Sequence, residues 1–322
     1  MNPMTRQSVQ RRQFLSTMVA GAGGLILCNS TGLSASGHSV TPGHSSQEPL
    51  RSAKQGHVRL ALAAYSFRKQ FAFMKGNPQT PDGKSMNMFE FIDYCADHQC
   101  AAELTSYFFP PDADDTYFLK LKRHAYLMGV PIVGTAIGNN FTRPKGTKLN
   151  QEIEDAKKWI DRAAVMGAPH IRFFAGTRKQ LESSPENKKN AIESLQSCVD
   201  YAAQKGVFVG VENHGDLTAD QVLKIVEAIK SDWFGVNLDT GNFFSNDPYR
   251  DIAKCAPFAV NIQFKVKMKN EKREVSDADF DRVAEIISES KYRGYMVLEF
   301  EEEKPFQHVP NELKKLRAAF GQ

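Results

Sequence analysis

The sequence predicts a single closed (β/α)8 TIM barrel, and three observations carry that expectation. Short apolar segments alternate with amphipathic ones from residue 57 to the end of the chain. Strand and helix in alternation imply parallel pairing, because consecutive parallel strands need a crossover connection. About eight such units in roughly 265 residues suit a closed barrel better than an open doubly wound sheet. Several amphipathic segments also end in glycine, at Gly129, Gly167 and Gly206, where a left-handed helix cap is required.

The strand candidates, in order, are VRLALAAY from Val58, AAELTS from Ala101, VPIVGTAIG from Val130, HIRFF from His170, VFVGVEN from Val207, FGVNLD from Phe234, VNIQFKV from Val260 and YMVLEF from Tyr295. Each is short, rich in β-branched or aromatic residues and bounded by polar or turn residues. Between them, stretches such as EIEDAKKWIDRAAVMG and ENKKNAIESLQSCVDYAAQKG repeat apolar residues at helical spacing. The expected organisation is a signal segment over 1–36, a linker over 37–56 and the barrel over 57–322.

Composition narrows the classes of function. Of the 322 residues 41% are hydrophobic, and the formal net charge is +4. Arg6, Arg11 and Arg12 supply three of those charges, and residues 1–36 contain no Asp or Glu, which leaves +1 for the rest. Nothing in that balance points to nucleic acid or anionic lipid. Arg11 and Arg12 precede Phe14, Leu15 and a Gly/Ala-rich apolar run, a pattern that resembles a twin-arginine export signal. The run to Leu27 is short and glycine-rich for a membrane span, so no transmembrane segment is expected in the mature protein. The expected location is periplasmic or otherwise extracytoplasmic, where phosphorylated metabolites are scarce. Cys95, Cys100, Cys198 and Cys255 show no paired spacing, and folding before export favours free thiols.

Strand periodicity then decides which polar residues face the barrel axis. Glu212 shares a face with Phe208, Gly210 and His214, and Asp239 shares one with Gly235 and Asn237. Asn261, Gln263, Lys265 and Lys267 oppose an apolar face of Val260, Ile262, Phe264 and Val266. Val297, Glu299 and Glu301 line up on the last strand. Glu212, Asp239 and Glu299 are therefore expected at the mouth, with Gln263 between them. Carboxylates gathered in one cleft repel each other unless a cation neutralises them. All-oxygen ligation favours Mn2+ or Mg2+, with Co2+ or Zn2+ as alternatives. Each of these residues could also serve structure alone. Lys265 could pair with Glu212, Asp239 could shape the turn before Thr240, and Gln263 and Lys265 could be satisfied interior polar groups. Glu103 and Arg172 are further mouth candidates for substrate contact.

The segments GVENHG, VNLDTGN, NIQFKV and MVLEFE, in this order, resemble the metal-binding strands of the xylose isomerase-like barrel superfamily of sugar isomerases and epimerases. The resemblance spans about residues 57 to 320. It implies that Glu212, Asp239, Gln263 and Glu299 hold one divalent cation, with Gln263 standing where the family has histidine. It also implies that the cation stabilises an enediolate while Glu212 and Glu299 exchange the proton as base and acid. His214 would then bond a substrate hydroxyl, and Lys265 would balance charge or polarise a carbonyl. The expected activity is a metal-dependent isomerase or epimerase of an unphosphorylated sugar or polyol derivative. The alternatives are a lyase or hydrolase of an oxidised sugar or glycoside on the same site, and a non-catalytic carbohydrate-binding barrel. The expected partner is a small carbohydrate, with oligomerisation left open. The trinuclear zinc DNA-repair chemistry found on related barrels needs more histidines than these strand ends carry.

Overall fold

A computed structural model describes residues 58–322. The expected signal and linker segments lie outside the described residues. Eight parallel strands close into one barrel: β1 (Arg59–Ala63), β2 (Ala101–Thr105), β3 (Ile132–Ala136), β4 (His170–Phe174), β5 (Phe208–Glu212), β6 (Phe234–Asp239), β7 (Ala259–Phe264) and β8 (Tyr295–Leu298). Each strand pairs with its sequence neighbours, and β8 returns to β1 through the register Arg59 to Tyr295 and Ala61 to Val297. Every predicted strand is present.

Helices cover the outer face: α1 (Met88–Asp97), α2 (Asp115–Leu127), α3 (Thr147–Met166), α4 (Arg178–Ser183), α5 (Pro185–Lys205), α6 (Ala219–Ala228), α7 (Pro248–Cys255), α8 (Phe280–Glu289) and α9 (Pro305–Ala319). Their starts are written locally. Asn87 with Glu90, Thr177 with Gln180 and Thr218 with Gln221 form reciprocal capping boxes that satisfy backbone N–H groups left open in the first turn. Gly167 and Gly206 end α3 and α5 at φ 80° and 68°, as the sequence implies.

Two cores follow from strand alternation. Outward residues such as Val209, Val211, Val236 and Ile262 pack on the helices in one large cluster. Inside the barrel, Ala61, Ala63, Ala101, Val133 and Val297 form a small apolar cluster beneath the mouth. The interior above it is polar, which sets up the site. The register shifts at Ala102/Glu103 and at Val236/Asn237. Such irregularities re-aim the side chains beside them, and here those are Glu103 and Asn237. Cys95, Cys100, Cys198 and Cys255 are free and buried.

Candidate functional site: a charged barrel mouth

Arg172 and Glu212 point inward from adjacent strands, since Arg172 lies opposite Gly210 in the register and Gly210 precedes Glu212 by one inward step. Arg172 Nε sits 2.7 Å from Glu212 Oε2, and both side chains are almost fully buried. The guanidinium also donates to the Ile137 carbonyl at 2.6 Å. Burial alone would pull its pKa down, but Glu212 and the nearby Tyr107 hydroxyl outweigh burial and hold it up. Asn242 donates to the other Glu212 oxygen at 3.1 Å. The partner of Glu212 is therefore Arg172, not the Lys265 that the sequence offered as an alternative. A buried carboxylate without such a partner would be strongly destabilising.

Lys265, just beyond β7, is the centre of a second cluster. Its Nζ lies 2.8 Å from Glu299 Oε1, 2.8 Å from Glu301 Oε2 and 3.5 Å from Asp239 Oδ2. The lysine side chain is only 8% exposed, so this ammonium has exchanged water for carboxylates. Burial opposes its charge, yet Asp239, Glu299 and Glu301 together hold its pKa well above the ordinary value. Burial pushes the carboxyl groups of Asp239 and Glu299 upward, with Lys265 working against it and Glu212 adding to it. One ammonium cannot neutralise the buried Asp239 and Glu299 together with the partly exposed Glu301, so the cluster favours retaining a proton on Asp239 or Glu299.

The backbone under this cluster is fixed by side chains. Asn213 donates to the Asp239 carbonyl at 2.8 Å and accepts from the Asp239 N–H at 2.7 Å. Asp239 Oδ1 accepts from Gly241 N–H at 2.8 Å, which is the turn that the sequence suggested, and Thr240 Oγ1 accepts from Lys265 N–H at 3.0 Å. A Cβ on Gly241 would lie 2.7 Å from the Lys267 carbonyl and 2.8 Å from Lys265 Cβ and Cγ. Only glycine lets the lysine stem pass so close.

Gln263 belongs to a different layer of the interior. Its Oε1 accepts from Asn237 Nδ2 at 2.7 Å, and its Nε2 donates to Glu103 Oε1 at 3.3 Å. Asn261 Nδ2 bridges Asn237 Oδ1 at 2.9 Å and Glu103 Oε2 at 3.3 Å. Glu103 is completely buried; burial first, then the charges of Glu299 and Glu212, push its pKa up to about 8. Its surroundings thus favour the protonated, neutral form, tied into an amide network.

These contacts decide whether the expected divalent ion fits. It would need an oxygen from each of Glu212, Asp239, Gln263 and Glu299. The Gln263 oxygen is committed to Asn237, Glu212 to Arg172 and Asn242, and Glu299 to Lys265. Among the described residues, no three His, Cys, Asp or Glu side chains are grouped to hold a metal ion. Glu212, Asp239 and Glu299 lie in the two ion-pair clusters of the mouth, whereas Gln263 belongs to the amide layer with Asn237 and Glu103, and in this arrangement the four donors do not fit a divalent cation.

Other expectations shift where strands end. β5 stops at Glu212, so His214 leaves the inward face; it is exposed, with its ring 4.3 Å from that of Phe174. Lys267 likewise leaves the inward face for a short hairpin, Lys267–Lys269 with Val275–Asp277, and pairs with Asp277. Tyr65, Tyr107, Asn242 and Glu301 join the site beyond the residues that the motifs assign to it. Tyr65 follows β1, and its pKa is raised by burial and then by Glu301 and Glu299. The periodicity of the last strand puts Glu301 on the inward face, whereas Tyr65 and Tyr107 lie in short 3-10 turns after β1 and β2 (Ala64–Phe67 and Ser106–Phe108) and Asn242 lies just past the turn after β6, none of which strand periodicity reads. Tyr107 and Phe174 also line a cleft of about 650 Å³ on the β2–β4 side of the mouth, together with Asn139, Arg143 and Trp159.

A parallel barrel with its ionisable residues gathered beyond the carboxyl ends of the strands has the layout of the small-molecule barrel enzymes. Within that class, the sequence profile of the xylose isomerase-like TIM barrel family matches residues 30–319, and the chain belongs to that family. No curated protein matches it. Among solved structures it is similar to a xylose isomerase domain protein from Planctomyces limnophilus, at 16% identity and TM-score 0.62, covering 83% of this chain and 99% of that one. It is similar to the 3-keto-D-glucoside 4-epimerase of E. coli, at 17% identity and TM-score 0.57, covering 76% and 99%. It is also similar to the D-psicose 3-epimerase of Clostridium cellulolyticum H10, at 13% identity and TM-score 0.62, covering 82% and 97%. At such identities these likenesses establish the fold.

Proposed function

We propose that this chain is a sugar isomerase or epimerase that moves a proton at a carbon next to a carbonyl of an unphosphorylated sugar or polyol derivative. The observation that carries the reading is the placement of Glu212 and Glu299. Glu212 ends β5 beside Arg172 and Glu299 follows β8 beside Lys265, close enough that the charge of Glu212 raises the Glu299 pKa. In this reading Glu212, fixed by Arg172 and Asn242, removes the carbon-bound proton, and Glu299 returns one from the opposite side. Which carbon receives the returned proton separates isomerase from epimerase. The names of the similar structures, a keto-glucoside epimerase and a psicose epimerase, support a carbohydrate substrate. Glu103, in its amide network, positions the interior beneath, and His214 on Phe174 offers a hydroxyl contact at the rim. No step is assigned to Mn2+ or Mg2+, because the donors expected for it are engaged by Arg172, Asn242, Lys265 and Asn237. We further place the activity outside the cytoplasm, on the strength of Arg11 and Arg12 before the apolar run.

The experiment is incubation with free and 3-keto sugars in D2O, followed by NMR and mass spectrometry. The expected result is deuterium incorporation beside the carbonyl with an otherwise intact product, reduced about 100-fold or more in Glu212→Gln. A product that has lost water or an aglycone would replace this reading with a lyase or hydrolase. Saccharide binding without exchange would replace it with a binding protein.

A further inference from the structure

The mouth carries its own cation. We propose that the Lys265 ammonium occupies the place of the divalent ion, so that the chain works without a metal and Lys265 is the group that faces the developing oxyanion. The occupancy stands on geometry alone; the catalytic part rests on the proton-transfer function proposed above.

Four observations converge on it. The ammonium lies within 3.5 Å of three carboxylates, Asp239 at the end of β6 and Glu299 and Glu301 beyond β8. The expected fourth donor, Gln263, turns its oxygen away to Asn237. The lysine is built in: its N–H is held by Thr240, and Gly241 has no Cβ where one would press on the lysine stem. The remaining carboxylate, Glu212, already has Arg172. Two side-chain cations thus do what one divalent ion and its supporting contacts would otherwise do.

A lysine ammonium has three N–H donors. Glu299 and Glu301 lie at 2.8 Å and engage two of them. Asp239 Oδ2, at 3.5 Å, accepts no hydrogen bond. The third N–H is the one that a carbonyl oxygen of the substrate would take. As Glu212 removes the carbon-bound proton, the C–H electron pair forms a C=C bond, the C=O pair moves onto oxygen, and the substrate becomes an enediolate whose oxyanion faces the ammonium. Glu299, protonated at the outset, gives its proton to carbon, the carbonyl re-forms, and Glu212 and Glu299 regain their starting states by proton exchange with water, so no oxidant or reductant is consumed.

The test is Mn2+ titrated into chelator-treated wild-type protein, with free Mn2+ read by electron paramagnetic resonance. Wild type should bind no stoichiometric Mn2+ at micromolar concentration, and chelator should leave its melting temperature unchanged. The Lys265→Met/Gln263→His variant should bind Mn2+ at least ~100-fold tighter, because buried carboxylates have then lost their cation. Stoichiometric Mn2+ in wild type would overturn the proposal while leaving the isomerase reading intact, and that arm needs no variant to fold. Absence of any turnover would remove the proposed function but not the occupancy of the cation position by Lys265.

Discussion

His170, at the start of β4, should give this protein a steep loss of stability in mild acid. Its imidazole is 4% exposed, and neither ring nitrogen has a hydrogen-bond partner. The reason is on the neighbouring strands. A Cβ on Gly210 would lie 2.6 Å from Nε2, and one on Gly134 would lie 2.9 Å from Nδ1, so bare glycine backbone presses against both nitrogens. Burial, with the charge of Arg172 adding to it, lowers the His170 pKa from 6.5 to about 3. Because the folded value is depressed, the unfolded chain binds more protons between those two pH values. The contribution is present in full above 6.5 and is lost as pH falls toward 3. At about 1.36 kcal/mol per pH unit, the loss by about pH 4 is on the order of 3 kcal/mol, or roughly 6–12 °C in melting temperature. His170→Leu keeps an apolar side chain in the slot and removes the proton site. Urea unfolding from about pH 8 to about pH 4 should show wild type losing that stability and the variant following a flatter curve. Parallel curves would refute the reasoning and place a partner on the imidazole.

Two further outcomes follow from the charged mouth. Arg172→Met should cost about 3–5 kcal/mol in chemical denaturation, because it leaves Glu212 buried with only Asn242 beside it; Glu212→Gln in the same background should recover part of that loss. Gly241→Ala should destabilise by about 1–3 kcal/mol, since the new methyl meets the Lys267 carbonyl as well as the lysine stem and a carbonyl cannot yield cheaply. In the crystal structure of that variant, Lys265 Nζ should have moved off Glu299.

Much of this was legible in the sequence for a simple reason. A strand has a period of two, so VFVGVEN and FGVNLD assign Glu212, Asn237 and Asp239 to the interior before any contact is known. The eight strand segments and the glycine caps were read by the same local rules. Periodicity fails where a strand stops. His214 and Lys267 carried the inward phase of their segments in the sequence, but β5 ends at Glu212 and β7 at Phe264, and the phase ends with them. Pairing among charges was also beyond reach. Arg172 or Lys265 could each have served Glu212, and the choice is made by strand order, which sets β4 beside β5 and puts Lys265 between the ends of β6 and β8. Tyr65 and Tyr107 enter the site from 3-10 turns that follow β1 and β2, where the strand period no longer applies.

The charge pattern ties the site to barrel closure. Lys265 follows β7, while its carboxylates lie at the end of β6 on one side and beyond β8 on the other. β8 is also the strand that closes the barrel by pairing with β1. On its other side β8 pairs with β7, and Glu299 is fixed there, its N–H donating to the Phe264 carbonyl at 2.9 Å. Without β8 in place Lys265 lacks both carboxylates at 2.8 Å, Glu299 and Glu301, and keeps only Asp239. A metal ion could wait for all its ligands in solution, whereas the lysine that follows β7 is desolvated by the same step that brings Glu299 and Glu301 to it. The cost of burying the ammonium and the contacts that offset it therefore arise together, so closing the barrel and assembling the cationic centre are one event.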